Sequence, residues 1–399
     1  MMKQNSSLYI LLLVGVVSAF GPFVTDFYLP ALPAMGNYFN TSASMVQLTL
    51  TVSMVGLAVG QLFIGPLSDR YGRKTPLLAS LVLFIASTVG CLGAQTVGVF
   101  ILFRFLQGVA GAGGVVISKS IATDLYTGRR LARFFSMLSS VQGLAPICAP
   151  VLGGVLLLVT DWRGIFYVLL AIGMGVLLFT IPFRESLPKG IGGSTLTAFR
   201  AYLPVLRNRV FMRYVGVQAM AMGVMFAYIG SSPFVFQEHY GLSPLAYSLC
   251  FGVNALGIMG GSLLILCFSQ ARRALRVGVT GFLGMSLVVA GVLLSGASVW
   301  VVEGAFFLLL VFLGMILPTS TTLALEPVRG SSGSASAVLG FFAFFVGGIC
   351  SPLAGLGNML VSTSVVIVVC AACTFVLPAV LPARGGFHSD GEEKEEVKL

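Results

Sequence analysis

Charged residues are scarce in this chain. Asp, Glu, Lys and Arg make up only 9% of the 399 residues, whereas soluble domains carry about 25%. Hydrophobic residues account for 57%, and the mean hydropathy is +0.99. The chain has too little polar surface to face water, which excludes a soluble protein and indicates an integral membrane protein. The net charge of +10 is spread over alternate loops rather than one soluble face, so no nucleic-acid partner is expected.

Residues that carry enzyme chemistry are also few. The chain has only two histidines. It has neither a His-Glu-x-x-His zinc motif nor a phosphate-binding Gly-x-x-x-x-Gly-Lys-Ser/Thr loop. The sequence therefore predicts no enzyme, no ATP-driven pump and no cofactor.

The seven cysteines fall within apolar runs, where they behave as small hydrophobic residues. Cys370 and Cys373 have C-x-x-C spacing, but no other cysteine pair or histidine lies near them in sequence to complete a tetrahedral zinc site. We expect a packed helix face there and no metal.

Long apolar runs are the dominant feature. Each is about the 20 residues that a helix needs to cross a bilayer core. The predicted spans are 8–30, 43–65, 75–94, 97–120, 131–158, 164–183, 211–236, 243–269, 275–295, 299–320, 334–357 and 361–382. Lys3 and the run that follows it could be a cleaved signal peptide, but the run continues through Asp26 to Pro30, so we predict an uncleaved first helix.

Positive charges alternate between the loops. With the amino terminus inside, the loops on that side hold Arg70, Arg73, Lys74, Arg129, Arg130, Arg133, Arg184 to Arg213, Arg272, Arg273, Arg276 and Arg329. The opposite loops hold only Arg163. By the positive-inside rule this asymmetry places both termini in the cytoplasm.

The longest polar interval, 184–213, follows the sixth span and divides the chain into two halves of six. Its proline, glycine and serine residues predict a flexible linker rather than a domain. We predict an amino-terminal bundle at 1–183, a linker at 184–210, a carboxy-terminal bundle at 211–382 and a disordered cytoplasmic tail at 383–399.

A charged decapeptide, Gly65–Lys74, separates the second and third spans. Gly65, Pro66 and Gly72 are expected to reverse the chain in a very short loop. A turn does not require the charges at Asp69, Arg70, Arg73 and Lys74, although an ordinary basic turn that obeys the topology rule is the simpler alternative.

This decapeptide resembles the signature Gly-x-Leu-Ala-Asp-Arg-x-Gly-Arg-Lys of the major facilitator superfamily (MFS), with Ser68 in place of Ala. The resemblance implies an all-α membrane protein of twelve transmembrane helices, in two six-helix bundles around a central cavity. It also implies that the decapeptide latches the two halves on the cytoplasmic side. Small residues at the start of the eleventh helix would let Asp69 approach the positive end of that helix, whereas the nearby Glu326 is expected to be interfacial.

Two charges inside the spans stand out, Asp26 in the first and Arg104 in the fourth. A charge near mid-span costs roughly 2.5–3.5 kcal/mol on insertion scales, so each marks a functional site by default. Both lie in the outer half and could face one cavity. A neighbouring cation favours an ionised carboxylate, whereas desolvation favours the neutral form. Our hypothesis is that Asp26 titrates and Arg104 modulates it or relays the competition between proton and substrate. The alternatives are a static ion pair or a solvated Asp26.

Two further segments carry family resemblance. Leu102–Gly108 resembles the fourth-helix motif Leu-x-x-Arg-x-x-Gln-Gly in the spacing of Arg104, Gln107 and Gly108, and the resemblance implies a role for Arg104 in proton coupling. Asp26–Pro33 resembles the first helix of the bicyclomycin/chloramphenicol-resistance branch of drug:proton antiporters.

In the fifth span, Pro146, Pro150, Gly153 and Gly154 predict a kinked, closely packed helix. They resemble the antiporter motif of MFS exporters, with Ala149 where glycine is commoner. The motif would seal the interface between the halves against proton leak, and a purely structural kink is the alternative.

Candidate cavity residues are polar or aromatic side chains within the spans, each of which could instead form an interhelical hydrogen bond. They are Tyr28, Gln61, Gln107, Gln142, Gln218 and Asn254.

Together these features predict a monomeric, proton-coupled efflux transporter of the bacterial inner membrane, which exports drug-like or small-metabolite substrates by alternating access. The proton would be the coupling ion. A proton-independent facilitator or importer of a small nutrient is the alternative, and a membrane-embedded enzyme or receptor anchor would need a catalytic cluster or soluble domain that the sequence lacks.

Overall fold

The computed structural model describes residues 6–126, 148–187 and 202–378, and every regular element in these ranges is helical. The α-helices in chain order are α1 (Ser7–Asp26), α2 (Leu32–Tyr38), α3 (Ala43–Tyr71), α4 (Lys74–Gly93), α5 (Val97–Leu125), α6 (148–156), α7 (Trp162–Thr180), α8 (Tyr202–Arg207), α9 (Arg209–Phe234), α10 (Pro244–Leu264), α11 (Ala271–Leu294), α12 (Val299–Leu325), α13 (Ser332–Ala354) and α14 (Met359–Val376).

Eleven helical segments of the described residues are long and apolar enough to cross a membrane. They confirm the predicted all-α membrane fold. The remaining predicted span, 131–158, lies mostly outside the described residues, and α6 is its described end. Residues 188–201 and 379–399 also lie outside them, so the domain boundaries, the linker and the tail stay predictions. Within the predicted linker, Tyr202–Arg207 is helical.

The predicted loop at Gly65–Lys74 is wrong in its extent. Helix α3 continues through Pro66 to Tyr71, and α4 begins at Lys74. Gly72, with φ +86°, makes the reversal, because side-chain-bearing residues rarely adopt that conformation. Most of the charged signature is therefore the last two turns of a transmembrane helix. We call the end of the molecule that holds this turn the basic end.

The first predicted span also differs from the structure. Helix α1 ends at Asp26, and a 3₁₀ turn at Leu29–Ala31 leads into α2. Pro30 and Pro33 lack the N–H groups that would continue α1 as a regular helix. The break leaves Asp26 at the carboxy terminus of α1, far from the basic end. We call the end of the molecule that holds Asp26 the opposite end.

The helices form two bundles. In the first, α5 contacts α1, α3 and α4, and α4 contacts α7; in the second, α12 contacts α9, α10 and α11, and α14 contacts α9 and α11. Glycines let helix axes approach closely. A Cβ on Gly108 of α5 would collide with the Ser53 carbonyl of α3, and one on Gly314 of α12 would collide with the Ile258 carbonyl of α10.

A long seam joins the bundles where α3 packs against α13. Gln61 lies against Gly340 toward the basic end, and Thr51 lies against Gly348 near the middle. At the opposite end the Ser44 hydroxyl donates to the Pro352 carbonyl at 3.2 Å. The two helices thus touch from Ser44 to Gln61 of α3.

Candidate functional site

Arg104 is completely buried in the first bundle. Its Nη2 donates to the Val24 carbonyl of α1 at 3.1 Å, and its Nη1 donates to the Gln107 Oε1. The guanidinium carbon lies 4.2 Å from the centre of the Tyr28 ring, a cation–π distance. Val24 is in the last turn of α1, where carbonyls run out of intrahelical donors and a cation is favourable. Arg104 therefore caps the helix that carries Asp26.

Two predicted cavity residues hold Arg104 in place. Gln107 is fully buried, and its Nε2 donates to the Thr88 hydroxyl at 2.8 Å. Tyr28 is fully buried as well, with its hydroxyl 3.3 Å from the Thr49 hydroxyl. Both side chains are thus committed to a hydrogen-bond network inside the first bundle.

Asp26 is 7% exposed at the carboxy end of α1. The neighbouring Thr25 side chain is within hydrogen-bonding range of its carboxylate. Tyr247 of α10, in the second bundle, is close enough to interact with it electrostatically. The carboxylate thus lies at the contact between the two bundles.

Asp26 and Arg104 do not form an ion pair. No Lys, Arg or His nitrogen of the described residues lies within 4.0 Å of the Asp26 carboxylate. The link between the two side chains is indirect, through the Val24 carbonyl two residues before Asp26. The static ion pair considered from the sequence is therefore absent.

The glycines of α6 close the opposite end. A Cβ on Gly153 would collide with the carbonyl of Phe27, immediately after Asp26. A Cβ on Gly154 would collide with the Ser248 hydroxyl of α10, in the other bundle. Gly153 therefore lets α6 pack against the end of α1, and Gly154 lets α6 contact α10 of the other bundle. Pro150 is buried beside them, whereas the predicted site residue Pro146 lies outside the described residues.

At the basic end, Arg73 joins two carboxylates. Its Nε donates to Asp124 Oδ2 at 2.8 Å, and its Nη1 contacts Asp69 Oδ1 at 2.5 Å. Burial alone would lower the pKa of the Arg73 guanidinium. Its hydrogen bonds and charge interactions with Asp124 and Asp69 have the larger combined effect, so the pKa of Arg73 is raised. Because Asp124 lies in the last turn of α5, this cation holds the carboxy-terminal turns of α3 and α5 together.

The other predicted gate residues contact different groups. Lys74 Nζ donates to the Ile181 carbonyl at 2.7 Å, and the Arg70 guanidinium carbon lies 5.1 Å from the centre of the Tyr71 ring. The Asp69 side chain is 56% exposed. Burial raises the pKa of Tyr202 in α8, and the negative charge of Asp69 raises it further. Asp69 therefore faces the chain that enters the second bundle, while its predicted approach to the eleventh helix stays a prediction.

Glu185 is a site residue that the sequence analysis missed. Its carboxylate accepts from the backbone N–H of Arg73 at 2.8 Å and of Lys74 at 3.1 Å, so it caps the amino terminus of α4. It also accepts from the N–H groups of Ser186 and Leu187 at 3.0 and 2.9 Å. The start of the predicted linker is thereby fixed to the charged turn.

Glu303 is a second missed residue. It is 8% exposed in α12 and accepts from the Asn254 amide at 3.0 Å. It is the only charged residue between Val299 and Leu325, so the rule that selected Asp26 and Arg104 would also have selected it.

The comparison with known families decides what this arrangement belongs to. Residues 11–352 match the model of the Major Facilitator Superfamily.

The chain belongs to the major facilitator superfamily.

Individual MFS relatives agree with this assignment. An uncharacterised MFS-type transporter, YdgK, of Bacillus subtilis is 38% identical over 355 residues, which is 87% of this chain and 88% of the relative. A bicyclomycin resistance protein homolog of Haemophilus influenzae is 28% identical over 366 residues, 91% of this chain and 87% of the relative.

Among solved structures, a bacterial homolog of the human lysosomal transporter Spinster superimposes with a TM-score of 0.75 at 17% identity, over 94% of this chain and 98% of the other. This likeness shows the fold. The protein is an MFS transporter that acts on small molecules in a membrane, and it is not an enzyme.

The remaining predicted cavity residues of this MFS chain are divided between the bundles. Gln218 accepts from the Thr321 hydroxyl at 2.9 Å and so ties α9 to α12. Asn254 belongs to the Glu303 network, Gln61 lies in the seam, and Gln142 is outside the described residues. These contacts are all between protein groups, so a role in binding substrate stays a prediction for each of them.

Proposed function

We propose that this MFS transporter is a proton-coupled exporter of drug-like or small-metabolite substrates, of the bicyclomycin/chloramphenicol-resistance type, which works by alternating access. It resides in the bacterial inner membrane with both termini in the cytoplasm, because the loops of one side carry nearly all the basic residues. Export is supported by the relative named for bicyclomycin resistance and by the resemblance of α6 to the antiporter motif.

The observation that carries the proposal is the position of Asp26. It is a buried carboxylate at the contact between the bundles, with no cationic side chain of the described residues within 4.0 Å. An isolated ionised carboxylate is very costly in an apolar environment, so the group takes up a proton when it is enclosed. When the bundles part at the opposite end, which faces away from the cytoplasm, Asp26 takes up a proton from that side as substrate leaves, and it releases the proton to the cytoplasm when the basic end opens. Protonation of this one group therefore depends on which end is open.

Arg104 supports this cycle as a positioning residue. It holds the last turn of α1 through Val24 and so sets where the Asp26 carboxyl lies. Its fixed charge also favours release of the Asp26 proton once water reaches the carboxyl from the basic end. Substrate and proton then compete for the region around Asp26 at the contact between the bundles, as exchange requires.

The test uses purified protein in liposomes loaded with a pH-sensitive dye and given an outward gradient of a candidate compound, chloramphenicol first. Movement of the compound should be accompanied by proton movement in the opposite direction. Asp26→Asn should abolish proton movement while exchange of labelled compound across the membrane without a gradient continues. Glu238→Gln, an exposed carboxylate at the same end, is the matched control and should behave as wild type.

Coupling that survives in Asp26→Asn would refute the proton role. The alternative, a facilitator or importer of a small nutrient, would be favoured by uptake of a labelled nutrient that persists after a protonophore collapses the gradient.

A further inference from the structure

The second bundle contains a buried polar cluster that the transport cycle above does not use. Asn254 of α10 lies at its centre. The amide nitrogen is 2.8 Å from the Tyr228 hydroxyl of α9 and 3.0 Å from Oε2 of Glu303 in α12. Asn254 is 1% and Tyr228 3% exposed. Three transmembrane helices thus contribute one side chain each to a single enclosed site.

The cluster lacks hydrogen-bond donors. Glu303 Oε1 and Asn254 Oδ1 are both buried without a partner. If the amide is turned around, the Tyr228 hydroxyl and a protonated Glu303 can donate to Oδ1, but the NH₂ group then loses its acceptor. Protonation of Glu303 therefore leaves at least one polar group of the cluster without a hydrogen-bond partner in either orientation of the Asn254 amide. A ligand group with at least two N–H donors would complete it.

The cluster also lacks positive charge. No Lys, Arg or His nitrogen of the described residues lies within 4.0 Å of the Glu303 carboxylate. Tyr228, Tyr247 and Cys250 interact electrostatically with Glu303, and none of the three is cationic. A cation at this site would have to come from a ligand.

Aromatic rings form the walls of the site. The Tyr228 ring stacks on Phe251 with centroids 5.7 Å apart and lies 5.0 Å from the Phe306 ring. Aromatic faces attract ammonium groups, most strongly when water is excluded. A carboxylate beside such rings is suited to an organic ammonium on an apolar body.

The site borders the contact between the bundles. Tyr247 interacts electrostatically with both Glu303 and Asp26, and its hydroxyl is 3.2 Å from Ser232. A ligand held by Glu303 would therefore lie next to the interface that opens and closes around Asp26.

We propose that Glu303 and Asn254 bind the protonated amine of the transported molecule, with Tyr228, Phe251 and Phe306 around its ammonium group. The inference rests on the proposed export function and names a substrate class for it, lipophilic primary or secondary amines. The ammonium donates to Glu303 Oε1 and Asn254 Oδ1, and its charge neutralises the carboxylate.

Equilibrium binding to the purified full-length protein tests the proposal, with dansylcadaverine as a fluorescent primary amine and its N-acetyl derivative as the neutral match. Wild type should bind the amine more tightly than the amide. Glu303→Gln keeps the shape of the side chain and should weaken amine binding about 10- to 100-fold, while binding of the neutral derivative changes less than twofold. Glu238→Gln should leave both affinities unchanged.

Asn254→Leu is the second variant, in case Glu303→Gln does not fold. It removes the orphaned Oδ1 at similar volume and should weaken amine binding about 3- to 10-fold, with little change for the amide. Equal amine affinity in wild type and in whichever variant folds would overturn the proposal. An equal loss for amine and amide would also overturn it, because the cluster would then only support the structure.

Failure here is distinguishable from failure of the proposed function. If amine binding is insensitive to Glu303 but chloramphenicol exchange still moves protons through Asp26, only the substrate class is wrong. If Glu303 governs amine binding but Asp26→Asn leaves proton movement intact, only the coupling mechanism is wrong.

Discussion

Replacing Gly154 by alanine should open the opposite end of the transporter. The added Cβ would collide with the Ser248 hydroxyl. It would also lie 3.0 Å from the Ser248 Cβ and 3.1 Å from the Pro244 carbonyl oxygen. These atoms belong to the other bundle and meet α6 only while that end is closed. The substitution therefore raises the free energy of the closed state and leaves the open state unaffected.

The size of the effect follows from packing energies. Inserting a methyl group into a close-packed contact costs about 1–3 kcal/mol. Since 1.4 kcal/mol is a factor of ten in an equilibrium constant, the ratio of molecules open to molecules closed at this end should rise about 5-fold to 150-fold. The same methyl group at Gly175, which has no neighbour within 4 Å, should have no effect.

The assay is the rate at which a charged thiol reagent modifies a cysteine at position 232, which is buried in wild type with its side chain next to Tyr247. Ser232→Cys is made in protein whose exposed Cys148 and Cys267 are replaced by serine. Gly154→Ala should accelerate modification by the factor above, and Ser248→Gly in the same chain should reverse it by removing the colliding atoms. Equal rates in Gly154→Ala and Gly175→Ala would refute the reasoning.

Three further substitutions test other contacts, each read from the free energy of unfolding in denaturant. Gly72→Ala should destabilise by about 2 kcal/mol, because φ is +86° there and the Cβ would meet the Glu185 carboxylate; Gly93→Ala, with open space around it, should cost nothing, and equal effects would contradict the strain argument. Glu185→Ala removes the cap of α4 and should cost about 1–2 kcal/mol, which a wild-type value would disprove. Arg104→Lys keeps the charge but cannot hold Val24 and Gln107 together, so a loss of about 1.5–3 kcal/mol is expected, whereas a purely electrostatic role predicts no loss.

The sequence was most informative where the membrane constrains the chain. Apolar runs of sufficient length must be helices, because lipid offers no partner for a bare backbone, and eleven segments of the described residues satisfy that expectation. Their ends were less predictable. Pro66 signals a turn by composition, yet it lies inside α3, because the chain reverses where Gly72 adopts a positive φ.

The site was only partly predictable for a related reason. The cost of burying a charge identified Asp26 and Arg104, and both are buried. Whether they pair depends on the directions of two side chains on different helices, which spacing along the chain does not determine. Glu185 was missed because it lies in a polar segment, where acidic residues are common and give no signal of function. Its role comes from its hydrogen bonds to the amino terminus of α4.

The seam between α3 and α13 restricts how the molecule can move. Helices in contact from Ser44 to Gln61 cannot separate without exposing glycine-lined backbone, so we expect α3 and α13 to stay packed while the bundles rock about a point within the seam. Rocking that brings Gly154 and Ser248 together would part the bundles at the basic end, and the reverse movement would part them at the opposite end. The seam would thus be the pivot of both movements, so that the two ends open in turn.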